Sequence, residues 1–260
     1  MTTPKVLFLD EVDSTNTYVR CHFDELPDGA MVAARFQSAG RGRQGRRWLA
    51  PPGANLSCSI AFKQLKDGFH AGCLTALAAL ELLEKVAPAV DVYLKWPNDL
   101  YVEERKIAGM LCEGAKIEAG RIRGVVAGLG LNVNLTSEML AEIDQPATSL
   151  AILTKQKFNP DFLAKRLAEI LIRYYVTYLN NAGAVIQAWK KANRLVGEEL
   201  TVVAPSGQEY TGIFREIRDG GEMVLECGGT VREFSCCDVR IRRESIDWAR
   251  VKNKRHDRFN

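Results

Sequence analysis

Apolar positions along this chain recur with two different periods, and the switches between them outline the fold. Lys5–Leu9, Met31–Phe36 and Asn55–Phe62 are short apolar or alternating runs of strand length. Between the first two, Asp13-Ser14-Thr15-Asn16 offers side chains suited either to capping a helix through about residue 25 or to facing a ligand. Over His70–Val86, Leu74, Leu77, Leu80, Leu82 and Leu83 stand among alanines in a helical pattern. Asp91–Lys95 reads as a strand that halts at Trp96-Pro97, because the residue before a proline is held extended. Lys106–Cys112 and Arg121–Val133 are further strands. Asn159-Pro160-Asp161 is a good helix start, with Asn as cap and Pro in the first turn. It predicts a long helix to about Asn180, followed by a shorter one over Ala184–Arg194.

The pattern changes near Val196. Short β-rich runs follow at Glu199–Ala204, Gln208–Ile213, Met223–Cys227 and Val231–Ser235, broken by glycines or a tight turn. Regular short strands of this kind predict a small barrel. The pattern predicts an α/β catalytic domain to about residue 195, a small β-barrel domain to about residue 243 and then a basic tail.

Composition narrows the function classes. The 260 residues are 47% hydrophobic and 26% charged, as in ordinary globular proteins. Net charge is +3, but the segment from Arg240 onward holds eight Lys/Arg against three acids, leaving −2 for the other 239 residues. A dedicated nucleic-acid binder usually carries a broad basic face, which this balance does not provide. The seven cysteines have no Cys-x-x-Cys spacing and there are three scattered histidines, which argues against a zinc site. No signal segment opens the chain, and the longest apolar stretch, Cys73–Leu83, contains Glu81 and is too short for a bilayer. Free thiols in the cytoplasm, with no membrane partner, is the economical expectation.

Four clusters carry chemistry. Residues 40–48, Gly-Arg-Gly-Arg-Gln-Gly-Arg-Arg-Trp, combine four arginines with three glycines. Arginine supplies a planar fork for phosphate or carboxylate oxygens, and glycine lets backbone N–H groups approach a ligand. Such a run is also compatible with a solvated loop or a nonspecific nucleic-acid contact. Lys95-Trp96-Pro97-Asn98-Asp99 puts a cation, an amide and a carboxylate on a rigid strand exit, although Trp-Pro is also typical of structural corners. Lys106-Ile107-Ala108-Gly109 sets a lysine at a strand start. Gly128-Leu-Gly130-Leu-Asn132 marks either a bulge or a place where something approaches the backbone. Several cations with a carboxylate suit phosphoryl or nucleotidyl transfer, in which charge on phosphate must be neutralised. The chain has no Walker-type phosphate loop, and no histidine sits near a Ser or Cys in these motifs. That pattern fits a reaction whose substrates bring their own nucleophiles.

Asp13-Ser-Thr-Asn16, Gln37 followed by Gly40–Trp48, Lys95-Trp-Pro-Asn-Asp99 and Lys106-Ile-Ala-Gly109 stand in the order and spacing of biotin–protein ligases, and the chain resembles that family over essentially its whole length. The resemblance implies an α+β fold, with a mixed-sheet catalytic domain of the biotin/lipoate ligase type over 1–195, a small C-terminal SH3-like β-barrel over 196–243 and a basic tail over 244–260, and it implies a two-step reaction. Biotin and MgATP first give biotinoyl-5′-AMP and pyrophosphate; a lysine of a biotin carboxyl carrier domain then takes the biotin and releases AMP.

It also implies roles. Ser14, Thr15, Asn16, Gln37 and Arg41 match the group that recognises biotin, chiefly its ureido ring. Gly42 and Arg43 match the loop that covers the intermediate and its phosphate. Lys106 matches the lysine reaching biotin's carboxylate and the α-phosphate, so Lys106 and Arg43 are the expected catalytic pair. Asn132 matches a position near the adenine. Arg46, Trp48, Lys95 and Asn98 match ATP or adenine groups, and Asp99 matches a Mg²⁺ ligand. The neighbouring alternative is a lipoate–protein ligase, which shares the adenylation logic; a Gly/Arg-loop nucleic-acid module is the alternative of another class. The motifs begin within about ten residues of Met1, so neither a preceding DNA-binding domain nor DNA binding is expected. The basic tail reads as a solvated end or an aid in docking an acidic carrier domain. A homodimer is compatible with the resemblance.

Overall fold

The structure, a computed structural model, describes residues 5–118, 121–236 and 239–254. Seven strands build a mixed sheet: β1 (Val6–Val12), β2 (Met31–Gln37), β3 (Asn55–Phe62), β4 (Val92–Lys95), β5 (Asp99–Val102), β6 (Arg105–Gly114) and, after the paired two-residue strands β7 (Ile117–Glu118) and β8 (Arg121–Ile122), β9 (Val125–Asn132). Their order is β1-β2-β3-β9-β6-β5-β4. β1 and β2 run parallel, joined through helix α1 (Thr15–Cys21), and the remaining neighbours run antiparallel. The helices that follow are α2 (Gly68–Val86), α3 (Ser137–Leu140), α4 (Leu150–Thr154), α5 (Pro160–Asn180) and α6 (Ala182–Ala192). A five-stranded antiparallel sheet comes next, with β10 (Glu199–Val203), β11 (Glu209–Ile217), β12 (Met223–Cys227), β13 (Thr230–Phe234) and β14 (Arg240–Ile241) in the order β13-β12-β11-β10-β14. Helix α7 (Trp248–Asn253) ends the described chain. The α+β class implied by the resemblance is the one observed, in place of the α/β reading of the pattern, because all neighbours but β1 and β2 run antiparallel.

Strand parity decides where the site lies. On β3 and β9, Leu56, Cys58, Ile60, Phe62, Val125, Ala127, Leu129 and Leu131 point into the main core, against which α2 and α5 pack. The intervening positions point to the opposite face, where α1 covers one end through Val19, Phe23, Val32, Ala61 and Val126. The rest of that face carries small or polar residues. Pairing register aligns Ser59, Gly128 and Leu111 in one row, and Ser57, Gly130 and Gly109 in the next. The main core also runs on into the C-terminal sheet through Leu200, Val202, Phe214 and Leu225, so one apolar cluster serves both sheets.

Several elements differ from the expected ones. The first helix stops at Cys21, short of residue 25: His22 caps it, and a turn with Leu26 N–H bonded to His22 C=O leads to Pro27. Ser14 is its N-cap but makes no side-chain cap bond, so the polar cluster has another use. Arg121–Val133 is two strands separated at Arg123-Gly124, where Gly124 lies so close to Phe23 that an added Cβ would come within 2.4 Å of the ring. Asp99–Val102 is a strand not foreseen, folded back on β4 and lengthening the Lys95-to-Asp99 motif into a hairpin.

The basic tail departs most from its reading. Residues 244–254 are packed against the protein: Ile246 and Val251 are buried, and Lys254 is ion-paired to the buried Glu198. Residues 255–260, with Arg255 and Arg258, lie outside the described residues, as does Cys237. Among the described residues six cysteines are free, and no helix is long and apolar enough to cross a membrane.

Candidate active site

The polar face of the large sheet opens into a cleft of about 970 Å³, lined by all fourteen residues singled out in the sequence: Ser14, Thr15, Asn16, Gln37, Arg41, Gly42, Arg43, Arg46, Trp48, Lys95, Asn98, Asp99, Lys106 and Asn132. They come from separate elements that only the fold brings together.

At the α1 end, Thr15 gives both its backbone N–H and its hydroxyl to Gln37 Oε1, at 2.8 and 3.1 Å. Asn16 is held on every side. Its amide donates to Leu111 C=O at 3.1 Å and to Glu113 Oε2 at 2.7 Å, while its Oδ1 lies 2.6 Å from Ser59 Oγ. It sits directly on the sheet at Gly128, where a Cβ would come within 2.3 Å of Asn16 Oδ1. The polar cluster before α1 therefore faces the cleft. Glu113 also pairs with Arg41 at 3.2 Å and Arg20 at 3.6 Å, so one carboxylate orients the amide and the first loop arginine together.

The arginine loop is a small hairpin. Trp48 N–H donates to Gly40 C=O at 2.9 Å, Gly42 N–H to Arg46 C=O at 2.7 Å, and Arg41 bridges to Arg47. Its tip places Gln44 at φ 56° and Gly45 at φ 74°. A left-handed conformation disfavours a non-glycine residue by about 1–2 kcal/mol. Arg43 reaches out of the hairpin to Asn98 Oδ1 at 3.1 Å and to the backbone carbonyl of Cys236. The Trp48 ring packs directly on Gly130, where a Cβ would meet it at 2.3 Å. The buried Trp48 indole N–H has no hydrogen-bond partner among the described residues. Both glycines of the Gly128-Leu-Gly130 run therefore mark close approaches of side chains to the sheet.

The hairpin β4–β5 and strand β6 supply the opposite wall. Lys106 Nζ lies 2.7 Å from Asp99 Oδ1, both side chains 14% exposed, in an ion pair that lacks the alignment of a hydrogen bond. The same ammonium sits 5.7 Å from the Trp48 ring. Lys95 Nζ lies 5.3 Å over the Tyr101 ring. Burial, reinforced by Lys106, Arg243 and Arg46 and opposed by Asp99, brings the Lys95 ammonium down to about 8. Asn98 is fixed by its amide to Met110 C=O at 2.6 Å, and Asn132 by its amide to Thr148 C=O at 3.0 Å. Trp96 is different: it is fully buried, with its indole N–H on Gly221 C=O at 2.9 Å, and serves as the structural corner that Trp-Pro often makes.

No group of three or more His, Cys, Asp or Glu that could hold a metal occurs among the described residues. Asp99, the expected Mg²⁺ ligand, directs one oxygen at Lys106.

Sequence reasoning missed Glu113, Ser59, Tyr101 and the C-terminal sheet, whose Arg240 and Arg242 also line the cleft. Glu113 had a signal: it lies at i+2 and i+4 from Leu111 and Gly109, on the same face of β6, which points into the cleft. The C-terminal residues had none, because only tertiary packing brings them there.

Comparison with known proteins agrees with this architecture. The profile of the Biotin/lipoate A/B protein ligase family matches residues 8–132. The biotin–[acetyl-CoA-carboxylase] ligase of Mycobacterium tuberculosis is 34% identical over 218 residues, covering 82% of this chain and 79% of that protein. Its counterpart in Paracoccus denitrificans is 31% identical over 84% of this chain and 92% of its own length. The fold is shared with biotin protein ligase from Aquifex aeolicus, solved in complex with biotin and ATP, at a TM-score of 0.76 and 23% identity over 92% of this chain and 98% of that one. The chain belongs to the Biotin/lipoate A/B protein ligase family, on the side of the biotin–protein ligases.

Proposed function

We propose that the protein activates biotin with MgATP to biotinoyl-5′-AMP and transfers the biotin to a lysine of a biotin carboxyl carrier domain. The observation that carries this reading is the convergence of four distant motifs on one cleft, with two ligase relatives above 30% identity. In the first step a biotin carboxylate oxygen attacks the α-phosphorus, and the bond to the pyrophosphate oxygen breaks. In the second, a deprotonated lysine amine attacks the acyl carbon; the acyl–phosphate bond breaks, AMP leaves with the electron pair, and the amine's proton goes to solvent. The protein need supply no nucleophile, only position and charge.

On this reading Ser14, Thr15, Asn16, Gln37 and Arg41 form the biotin end, with Glu113 and Ser59 holding Asn16 and Arg41 in place. Lys106 stands between the two ends and neutralises the reacting carboxylate and α-phosphate, exchanging its partner Asp99 for the substrates. Arg46, Trp48, Lys95, Asn98 and Asn132 form the nucleotide end. Mg²⁺ arrives on the triphosphate as part of the substrate and lowers the charge on its oxygens; Asp99, released as Lys106 turns to the substrates, is the carboxylate that would meet it. Gly42 and Arg43 close over the intermediate. A hydrogen bond to a charged group contributes roughly 1.5–3 kcal/mol. A few arginine contacts thus offset ordering a short loop at about 1–2 kcal/mol per residue. A cytoplasmic location suits the free thiols, and a carrier domain with an exposed acceptor lysine is the macromolecular partner; a homodimer is compatible with the family.

The direct test is pyrophosphate release with biotin or lipoate as the acid, followed by transfer to a purified carrier domain. Release that depends on lipoate and not on biotin would overturn the assignment. Arg43→Gly is expected to form biotinoyl-AMP but release it, so that bystander lysines become labelled; a variant that labels the carrier alone removes the covering role. Lys95 yields a pH prediction. Its cation is complete well below pH 8 and is lost as pH rises through about 8 in the empty site. ATP affinity by calorimetry should therefore hold steady at lower pH and fall by up to ~tenfold per pH unit above that point. Lys95→Arg, which stays charged, should flatten the profile, and an equally steep fall in that variant would assign the titration elsewhere.

A further inference from the structure

Helix α7 does not line the cleft and has no part in the reaction as described above, yet it packs against one piece of the cleft wall. Trp248, the first residue of α7, stacks on Tyr101 with ring centroids 5.6 Å apart and planes 8° from parallel. Tyr101 also has the Tyr93 ring 6.3 Å away and the Lys95 ammonium 5.3 Å over its own ring, and both Tyr101 and Lys95 line the cleft. Arg243 lies 5.1 Å over the Trp248 ring and reaches Glu104 at 3.2 Å. Lys252 pairs with Glu103 at 3.3 Å. Glu103 and Glu104 form the turn joining β5 to β6, and those two strands carry Asp99, Tyr101 and Lys106. The far end of α7 is anchored independently: Val251 is fully buried, and Lys254 pairs with Glu198 and donates to Val196 C=O at 2.8 Å.

We propose that Trp248 on α7 is a positioning residue for the nucleotide end of the cleft: by stacking on Tyr101 it fixes the ring on which Lys95 sits, so that ATP affinity depends on a residue outside the cleft lining. The physical basis is additive. An aromatic pair contributes beyond its buried area, and a cation held over a ring face keeps one orientation. Without Trp248, Tyr101 keeps the tilted Tyr93 ring as a neighbour but loses its stacked one, and the Lys95 ammonium loses a firmly fixed seat, while the β5–β6 turn is still held by Tyr93 on Glu103 C=O and by its ionic contacts. The biotin end, built on α1, β3 and β9, has no contact with α7 and should not notice.

This inference rests on the nucleotide assignment of Lys95 given above, and the test separates the two. Trp248→Ala, Trp248→Leu and Trp248→Phe in the full chain are compared with the unmodified protein for biotin affinity, for KM and kcat in ATP-dependent pyrophosphate release, and for Tm. The Ala and Leu variants are expected to raise the KM for ATP by about five- to tenfold while biotin affinity stays within about twofold, and Phe, which restores a ring, should recover most of the loss. Leu keeps apolar bulk and carries the test if the Ala variant does not fold. Equal losses in biotin and ATP binding, an unchanged KM for ATP, or failure of both variants to fold would each overturn the positioning role and leave α7 as general support. If the unmodified protein forms no biotinoyl-AMP at all, it is the proposed function that falls.

Discussion

Lys106→Ala is expected to slow biotinoyl-AMP formation by ~10²–10³-fold, the usual effect of removing one electrostatic contact to a developing charge. The size follows from the setting. The ammonium is 14% exposed, so solvent screens it weakly, and its present partner Asp99 holds it by charge without a well-aligned hydrogen bond. A cation held in that way can transfer to an incoming anion without first breaking a directional contact. The substitution also leaves Asp99 with no cation at 2.7 Å in a largely buried place, which adds repulsion toward the triphosphate. Rapid-quench measurement of acyl-adenylate formation checks the rate, and Tm checks that the fold survives. Adenylate formation at a near-normal rate in a folded Lys106→Ala protein would remove the residue from the chemistry.

Gly128→Ala should be almost as damaging, by a steric route. Its Cβ would lie 2.3 Å from Asn16 Oδ1 and 3.1 Å from the amide carbon. Asn16 has nowhere to go: Leu111 C=O, Glu113 and Ser59 all hold it. Biotin affinity is expected to fall by about 100-fold or more, equivalent to ~2.7 kcal/mol, the cost of leaving a buried polar group misplaced. Calorimetry with biotin alone is the measurement. Affinity within about threefold of the unmodified protein would show that Asn16 does not order the biotin end.

These two positions also show how far the amino-acid pattern can be read. Lys106 was legible because its motif stands in register with three others, and the glycine run was legible as a close approach to the sheet. What approaches was not: Asn16 over Gly128 and Trp48 over Gly130 are contacts between residues more than eighty positions apart in chain order. Strand β5 went unseen because Trp96-Pro97 reads as an end, whereas the chain turns there and pairs Asp99 back on Lys95. The long helices were recognised within a few residues at their starts, where Asp67, Asn159 and Asn181 cap them through side-chain acceptors. The short helices α3, α4 and α7 carry too few apolar positions to show a period. For α7 the basic composition pointed away from packing altogether. Arg250, Lys252 and the capping Lys254 find Glu198 and Glu103, and Arg243 ahead of the helix finds Glu104, acids contributed from β5–β6 and the approach to β10, which composition by segment cannot reveal.

The apolar cluster shared by the two sheets restricts how this ligase can breathe. Swinging one sheet away from the other would wet Trp96, Phe214 and Leu200, all within 1% of complete burial, at about 25 cal/mol for each Å² uncovered. The hairpin of residues 40–48 is tethered across the gap mainly by Arg43. Turnover should therefore proceed like a letterbox in a solid door, with traffic governed by the small hinged plate while the frame stays still.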